Sequence, residues 1–406
     1  MNIGIVTTWF ERGAAYVSKQ FSNILKNENK LYIYARAGEI FGKNDDNWKQ
    51  DNVTWDRKWL IPIETFISKR RFINWLKENN IEIVLFNEQR WFLPVIWCNE
   101  IGVKTGAYID YYTESTIKLY NIFDFLICNT MRHYEVFNWH PQCYFIPWGT
   151  DINLFKPSNK KTASEKDLVF FHSAGMDAER KGTDILIRAF FKLKSDSLLI
   201  IHTQIDLKFS DKLTNENMKE LITKNKLKII QKDVHAPGLY FMGDIYVYPT
   251  RLEGIGLTIA EAMSCGLPTI VPDYPPMNEF VDEKSGKLVK IERLYSRYDG
   301  YYWPQCKVDE DDLVEKMKYY VKNLKRIEEL KINTRISAEN RLNWSQNANE
   351  LSSIFKRVRK RNTDECKSEK NLVLNYYSFS YKKFISFFAK YPRFFNMLFL
   401  ISKKLF

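Results

Sequence analysis

Short apolar runs rich in β-branched and aromatic residues recur along the first third of the chain. NIGIVTT, KLYIYAR, IEIVLFN, VKTGAYI, DFLICN and CYFIP each have the length of a buried strand. Helical patterns such as VSKQFSNIL and FISKRRFINWLK fall between several of them. This alternation predicts parallel α/β units, which bind ligands at the carboxyl ends of their strands. Further strands are read at DLVFFHS, LLIIH, LKII, DIYVYP, TIV and SGKLVKI. Ile185, Leu186, Ala189 and Phe190 lie on one helical stripe, so a helix opens around residues 182–184. The polar run SNKKTASEKD after Pro157 reads as a linker, and the domain boundary is placed near Phe155.

A chain of 406 residues exceeds what one core usually holds, so two domains of roughly 150–200 residues each are expected. Cys98, Cys128, Cys143, Cys265, Cys306 and Cys366 show no metal-ligand or paired spacing, which fits a reducing compartment. MNIGIVTTWF reads as a first strand rather than a signal peptide, and FFNMLFLIS is far shorter than the ~20 residues needed to span a bilayer. A cytoplasmic location is therefore expected. The formal charge is +12, and from Cys366 to Phe406 eight Lys or Arg stand against one Glu. The basic excess is thus concentrated in the tail.

Local structure and chemistry coincide in residues 243–279, GDIYVYPTRLEGIGLTIAEAMSCGLPTIVPDYPPMNE. A strand is followed by a glycine-bearing turn and by a helix opening near Leu257. Gly254 and Gly256 let the backbone approach a ligand closely, and the unpaired amides of a helix start favour an anion such as phosphate. Glu253 and Glu261 bracket the turn. An ionised carboxylate only accepts hydrogen bonds, and sugars offer hydroxyl donors. Gly266 is expected to close the helix. A second loop of the same kind precedes the helix at residue 182, where Arg180 and Lys181 would neutralise a diphosphate; cations there oppose the helix dipole unless an anion binds.

Read with its flanks, EGIGLTIAEAMSCGLP resembles the signature loop and helix of the family 4 glycosyltransferases, retaining enzymes in which two Glu separated by seven residues handle the donor. The resemblance spans about residues 1–361. It implies an α/β fold of two Rossmann-like domains facing each other across a cleft, the GT-B arrangement. It places an N-terminal acceptor domain at residues 1–155 with a closing helix at 343–361, and a nucleotide-sugar domain at 156–342. Residues 362–406 lie beyond it and are read from their own pattern as a C-terminal basic, aromatic, amphipathic helical tail. Glu253 would hold sugar hydroxyls, Glu261 the ribose, and the amides of Gly256 and Leu257 with Lys181 the diphosphate. Gly13, in the loop TTWFERGAAY, would lie beside the donor, and Glu279 would support the sugar or its loop. The family commonly has an Arg about six residues before the Lys, where this chain has Gly175 and Met176, with Arg180 as the substitute. It also often has a His where this chain reads YIDYYTE; Asp110 and Glu88 are then the acceptor-side candidates.

No cofactor and no metal are expected. Asp309 to Asp311 are read as favouring the first turn of a helix rather than holding a metal-bound diphosphate. The implied activity is retaining transfer of a sugar from a nucleotide-diphosphate sugar to a glycan or glycolipid hydroxyl in surface polysaccharide synthesis. The alternatives are a nucleotide-sugar epimerase or hydrolase, or a non-catalytic scaffold. In residues 376–406, Phe384, Phe387, Phe388 and Tyr391 repeat on one helical face, with Lys382, Lys383 and Lys390 on the other. That pattern suits an anionic membrane surface, or packing against protein, better than nucleic acid.

Overall fold

The computed structural model describes residues 1–36, 42–56, 65–158, 168–361 and 365–377, together with Tyr391 and Met397. The chain forms two compact units. Residues 1–129, 133–146 and 348–406 make the first, and residues 130–132 and 147–347 the second.

In the first unit β1 (Asn2–Thr7), β2 (Lys30–Ala35), β3 (Val53–Trp55), β4 (Ile83–Asn87), β5 (Lys104–Tyr108), β6 (Phe125–Cys128) and β7 (Cys143–Phe145) form one sheet in the order β3-β2-β1-β4-β5-β6-β7. All pairings are parallel. Helices α1 (Gly13–Leu25), α2 (Lys69–Glu78), α3 (Leu93–Glu100), α4 (Glu114–Ile117) and α5 (Met131–Phe137) lie between strands. Parallel strands are covered on both faces, so they read as unbroken apolar runs; every residue of β4 is buried.

The second unit repeats the plan. β8 (Val169–Gly175), β9 (Leu198–Thr203), β10 (Leu227–Gln231), β11 (Ile245–Val247), β12 (Thr269–Pro272) and β13 (Gly286–Val289) form a sheet in the order β10-β9-β8-β11-β12-β13, again all parallel. Its helices are α6 (Thr183–Leu193), α7 (Lys212–Thr223), α8 (Leu257–Ser264), α9 (Met277–Phe280), α10 (Glu310–Lys322), α11 (Ile327–Arg341) and α12 (Trp344–Asn347). The predicted stripe of α6 is buried in a core with Phe170, Leu199, Ile201, Val247, Leu313 and Met317. Each such side chain contributes about 1.5–3 kcal/mol by leaving water. An antiparallel hairpin of β14 (Ile291–Tyr295) and β15 (Gln305–Val308) is an addition that the sequence pattern did not disclose. Strand order reverses between β1 and β4 and between β8 and β11, and these are the two topological switch points where open parallel sheets admit ligands.

The chain enters the second unit after Ile146, ahead of the boundary expected near Phe155. Thr150 is the reason. Its amide donates to the Leu342 carbonyl at 2.7 Å and its carbonyl accepts from Trp344 N at 3.1 Å, so the entry and exit strands of this unit are paired. α12 consequently stays with the second unit, and the return to the first begins at Ala348 rather than residue 343. There α13 (Leu351–Arg357) packs Phe355 on Phe125 at 5.3 Å and places Lys356 2.9 Å from Glu28.

The last described helix, α14 (Glu365–Tyr376), also belongs to the first unit. Glu369 accepts a hydrogen bond from Asn121 at 2.7 Å, and Lys370 pairs with Glu100 at 2.8 Å. The Tyr377 hydroxyl donates to the Arg90 carbonyl at 2.7 Å and accepts from Phe92 N at 3.3 Å. The opening of the expected tail is therefore docked on protein. Phe384, Phe387, Phe388, Lys382, Lys383 and Lys390 lie outside the described residues. Among the described residues no helix is long and apolar enough to cross a membrane.

Four of the cysteines, Cys98, Cys128, Cys265 and Cys306, are buried as thiols, and burial pushes Cys265 and Cys306 up to about 12. Cys128 and Cys143 place their sulfurs 3.8 Å apart on neighbouring strands, a proximity their sequence spacing concealed.

Candidate active site

The loop between β8 and α6 is a compact turn closed by three backbone bonds: Lys181 N to Asp177 O, Gly182 N to Glu179 O and Thr183 N to Ala178 O, each 3.0 Å. Gly182 has φ +72°, and a Cβ there would collide with the Pro249 carbonyl oxygen. Only glycine lets this turn press against the chain leaving β11. Below it His172 is buried, with Nδ1 2.8 Å from the Val247 carbonyl and Nε2 2.8 Å from Thr183 Oγ1. A carbonyl can only accept, so Nδ1 carries the proton and Nε2 accepts from the threonine. Burial lowers His172 to about 4, keeping it neutral.

Glu253 lies in the loop between β11 and α8 and is 8% exposed. Its Oε1 gathers four donors: Lys181 Nζ at 2.7 Å, Thr250 Oγ1 at 2.7 Å, the Tyr248 hydroxyl at 2.9 Å and Arg180 at 3.3 Å. Lys181 also bonds the Tyr248 hydroxyl. Among the described residues Oε2 has no partner, so one edge of the carboxylate is anchored and the other is left to accept. Burial alone would oppose ionisation of Glu253, but Lys181 and Arg180 outweigh it and hold the group at about 2. Burial draws Lys181 down to about 8 against the pull of Glu253. At neutral pH Glu253 is an anion with cations on one side.

The loop then passes Gly254, which is exposed and would give a Cβ open space, and Gly256, which starts α8 at φ +100° with no side-chain cap. The first-turn amides at Leu257 are thus of the kind that bind anions. Glu261, one turn on, accepts from the Tyr240 hydroxyl through Oε2 at 2.6 Å; its Oε1 has no partner among the described residues. Burial raises the pKa of Glu261. Cys265 closes α8, and Gly266, at φ +81°, is the residue after the cap rather than the cap itself.

The structure thus brings Arg180, Lys181, Glu253, Gly254, Gly256, Leu257 and Glu261 to the β8/β11 switch point. Glu279 sits in α9, where its oxygens accept the amides of Met131 at 2.7 Å and Arg132 at 3.0 Å. Where an arginine was expected, Gly175 has φ +57° and Met176 is exposed; Arg180 supplies the guanidinium at Glu253 and also donates to the Leu252 carbonyl at 2.7 Å. Asp309 caps α10 by accepting from Asp312 N, and Asp311 pairs with Lys192.

Sequence reasoning missed Tyr248, Thr250 and Arg132. The first two stand in YPT directly before the glutamate loop, and their nearness to it was the available signal. Arg132 is buried and donates to the Glu253 carbonyl at 2.6 Å and the Pro275 carbonyl at 2.9 Å. Nothing in NTMRHY marks an arginine whose main partners are carbonyls.

The first unit gathers its candidates at its own switch point. Gly13 is the exposed first residue of α1, which also starts without a side-chain cap. Glu88 follows β4 with φ +52° and lies 3.6 Å from Arg12. A non-glycine residue held in that region stores strain that its surroundings must support. Asp110, just beyond β5, is pushed up to about 8 by burial and by Glu88, against Arg90 and Arg36. Arg36 donates to the Asn87 carbonyl at 2.8 Å and to Gln89 at 3.1 Å, and Arg90 stacks over Tyr111 at 3.9 Å.

Residues 155–337 match the family described as Glycosyl transferases group 1. Over 167 residues the chain is 27% identical to the lipopolysaccharide core biosynthesis mannosyltransferase LpsB of Rhizobium meliloti, covering 37% of this chain and 47% of that one. The chain therefore spans about half the length of this curated relative. Among solved structures, a glycosyltransferase from Rickettsia africae superposes with a TM-score of 0.69 at 16% identity over 89% of this chain and 99% of the other. Anabaena HepE, in complex with UDP and glucose, superposes with a TM-score of 0.67 at 14% identity, over 88% and 99%. The two parallel-sheet domains have the GT-B glycosyltransferase fold.

Proposed function

We propose, since residues 155–337 match the group 1 glycosyl transferases, that the chain moves a sugar from a nucleotide-diphosphate sugar to an acceptor hydroxyl with retention of configuration. The observation that carries this reading is Glu253. One oxygen is fixed by Lys181 and Arg180 and the other is open, beside an uncapped helix start at a switch point. In the reaction, Oε2 of Glu253 accepts from sugar hydroxyls. The amides at Gly256 and Leu257 receive the diphosphate. Lys181 and Arg180 oppose the charge that builds on the departing oxygen, a role most effective in a site poor in water. These groups carry out the neutralisation that a metal would otherwise supply. Glu261 accepts from the ribose through Oε1, and Glu279 supports the site through the segment it braces.

Glu88 and Asp110 are assigned to the acceptor, a glycan or glycolipid of a surface polysaccharide. The raised pKa of Asp110 favours its protonated form, which offers a donor to a hydroxyl. Retention follows same-face attack with the leaving phosphate taking the acceptor proton; a trapped glycosyl-enzyme adduct would refute that route. The relative named for lipopolysaccharide core synthesis and the neighbour holding UDP and glucose support the substrate classes.

The test is thermal denaturation with UDP, GDP, ADP and their sugar conjugates. A ligand at 100 times its Kd adds about 2.7 kcal/mol to stability. One nucleotide is expected to raise Tm, and Lys181→Ala to abolish the rise. No response to any of them would sink the reading.

A further inference from the structure

Outside the ligand-facing groups, one buried ion pair is joined to both loops that carry them. Arg251 presents its guanidinium as a fork to Asp184, with Nη1 to Oδ1 at 2.8 Å and Nη2 to Oδ2 at 2.7 Å. Both side chains are 12% exposed. The same guanidinium donates to the Glu179 carbonyl. The backbone repeats the connection: Arg251 N donates to the Arg180 carbonyl at 2.7 Å, and the Thr250 hydroxyl lies 3.2 Å from that carbonyl. On the other side the Arg251 carbonyl accepts from Cys306 N of β15 at 2.8 Å.

These links have a direction. Arg251 is two residues from Glu253 and adjacent to Thr250, which bonds Glu253 Oε1. Glu179 and Arg180 precede Lys181, and Asp184 lies in the first turn of α6, where an acid would normally serve the helix start. Here its two oxygens turn to Arg251, with Arg188 at 3.6 Å. The pair thus clamps the lysine loop to the glutamate loop, and Gly182 removes the side chain that would otherwise separate them.

We infer that Arg251 and Asp184 are positioning residues for the nucleotide site: they set the spacing between Lys181 and Glu253, and through it the grip on the diphosphate, without touching the ligand. This rests on the reading of the site given above. A planar fork matched to a carboxylate is not replaced by an ammonium, so lysine at position 251 keeps the charge and loses the geometry.

The experiment is calorimetric titration of the full chain with UDP, GDP and ADP, and then with UMP, GMP or AMP to match whichever diphosphate binds. Arg251→Lys, Arg251→Met and Asp184→Asn are compared, with each Tm recorded. The diphosphate affinity is expected to fall about tenfold or more in all three, the size of a lost charged hydrogen bond, while the monophosphate affinity changes far less. Arg251→Lys and Asp184→Asn keep side-chain size and serve should Arg251→Met fail to fold. Unchanged diphosphate affinity in these two overturns the inference. So does an equal loss for both nucleotides, which marks a general structural role. If the unsubstituted protein binds none of the three diphosphates, the nucleotide site itself is refuted and the inference falls with it.

Discussion

The glycines of the site divide by cause. Gly182 is required by the fold: its left-handed φ and the Pro249 carbonyl, which stands where a side-chain methyl would have to go, leave no room for another residue. Gly182→Ala should cost more than about 3 kcal/mol, seen as a lowered denaturant midpoint, since left-handed strain and overpacking add. Gly254 is different. A Cβ there meets nothing within 4 Å. Gly254→Ala should leave stability within about 0.5 kcal/mol and still weaken nucleotide binding, read by calorimetry. A matched loss of stability would place the residue in the fold and not at the ligand. Asp110 gives a pH signature. Its folded pKa is raised, so folding loses stability as pH climbs from the unfolded value near 4 toward about 8. Asp110→Asn removes that loss: no gain in Tm at pH 4, and a gain of about 3 °C or more by pH 8, on the scale of 2–4 °C per kcal/mol.

At the scale of elements, legibility followed periodicity. Both parallel sheets were read, apart from the edge strand β3, because their strands are unbroken apolar runs, and α8 because glycines and carboxylates flank it; β3 is three half-buried residues with no such run. The hairpin of β14 and β15 was hidden. ERLY mixes charge with apolar residues because three residues of β14 are exposed, so no apolar run marks it. The site divided in the same way. Glu253, Lys181 and Arg180 announce themselves by charge beside glycine. Tyr248 and Thr250 look like the end of a strand, and Arg132 belongs to a distant stretch of sequence that only the fold brings to the Glu253 carbonyl. The lipid-or-protein reading of the tail concerns residues 376–406, most of which lie outside the described residues; just ahead of them, residues 365–377 are held on protein by Glu369, Lys370 and Tyr377. Because the Tyr377 hydroxyl joins the Arg90 carbonyl to Phe92 N, Tyr377→Phe should speed hydrogen exchange at Phe92 about fivefold, the loss of a hydrogen bond worth roughly 1 kcal/mol. An unchanged rate would remove that hydroxyl from the loop's support.

At the scale of the whole molecule the connectivity is that of an insertion. The first unit is begun by residues 1–129 and 133–146 and completed only after residue 347, while the second, apart from residues 130–132, lies between those two passages. Its two ends are neighbours, joined by Thr150 to Leu342 and Trp344. A segment with adjacent ends and its own apolar core can be lifted out with little loss in closure entropy. Residues 147–347 should therefore fold as a separate fragment, with a cooperative melt of its own; a fragment that melts without cooperativity would refute this. The stitch at Thr150 thus makes residues 147–347 a cassette. On the function proposed above, a lineage could exchange it, and with it the choice of activated sugar, while keeping the residues assigned to the acceptor.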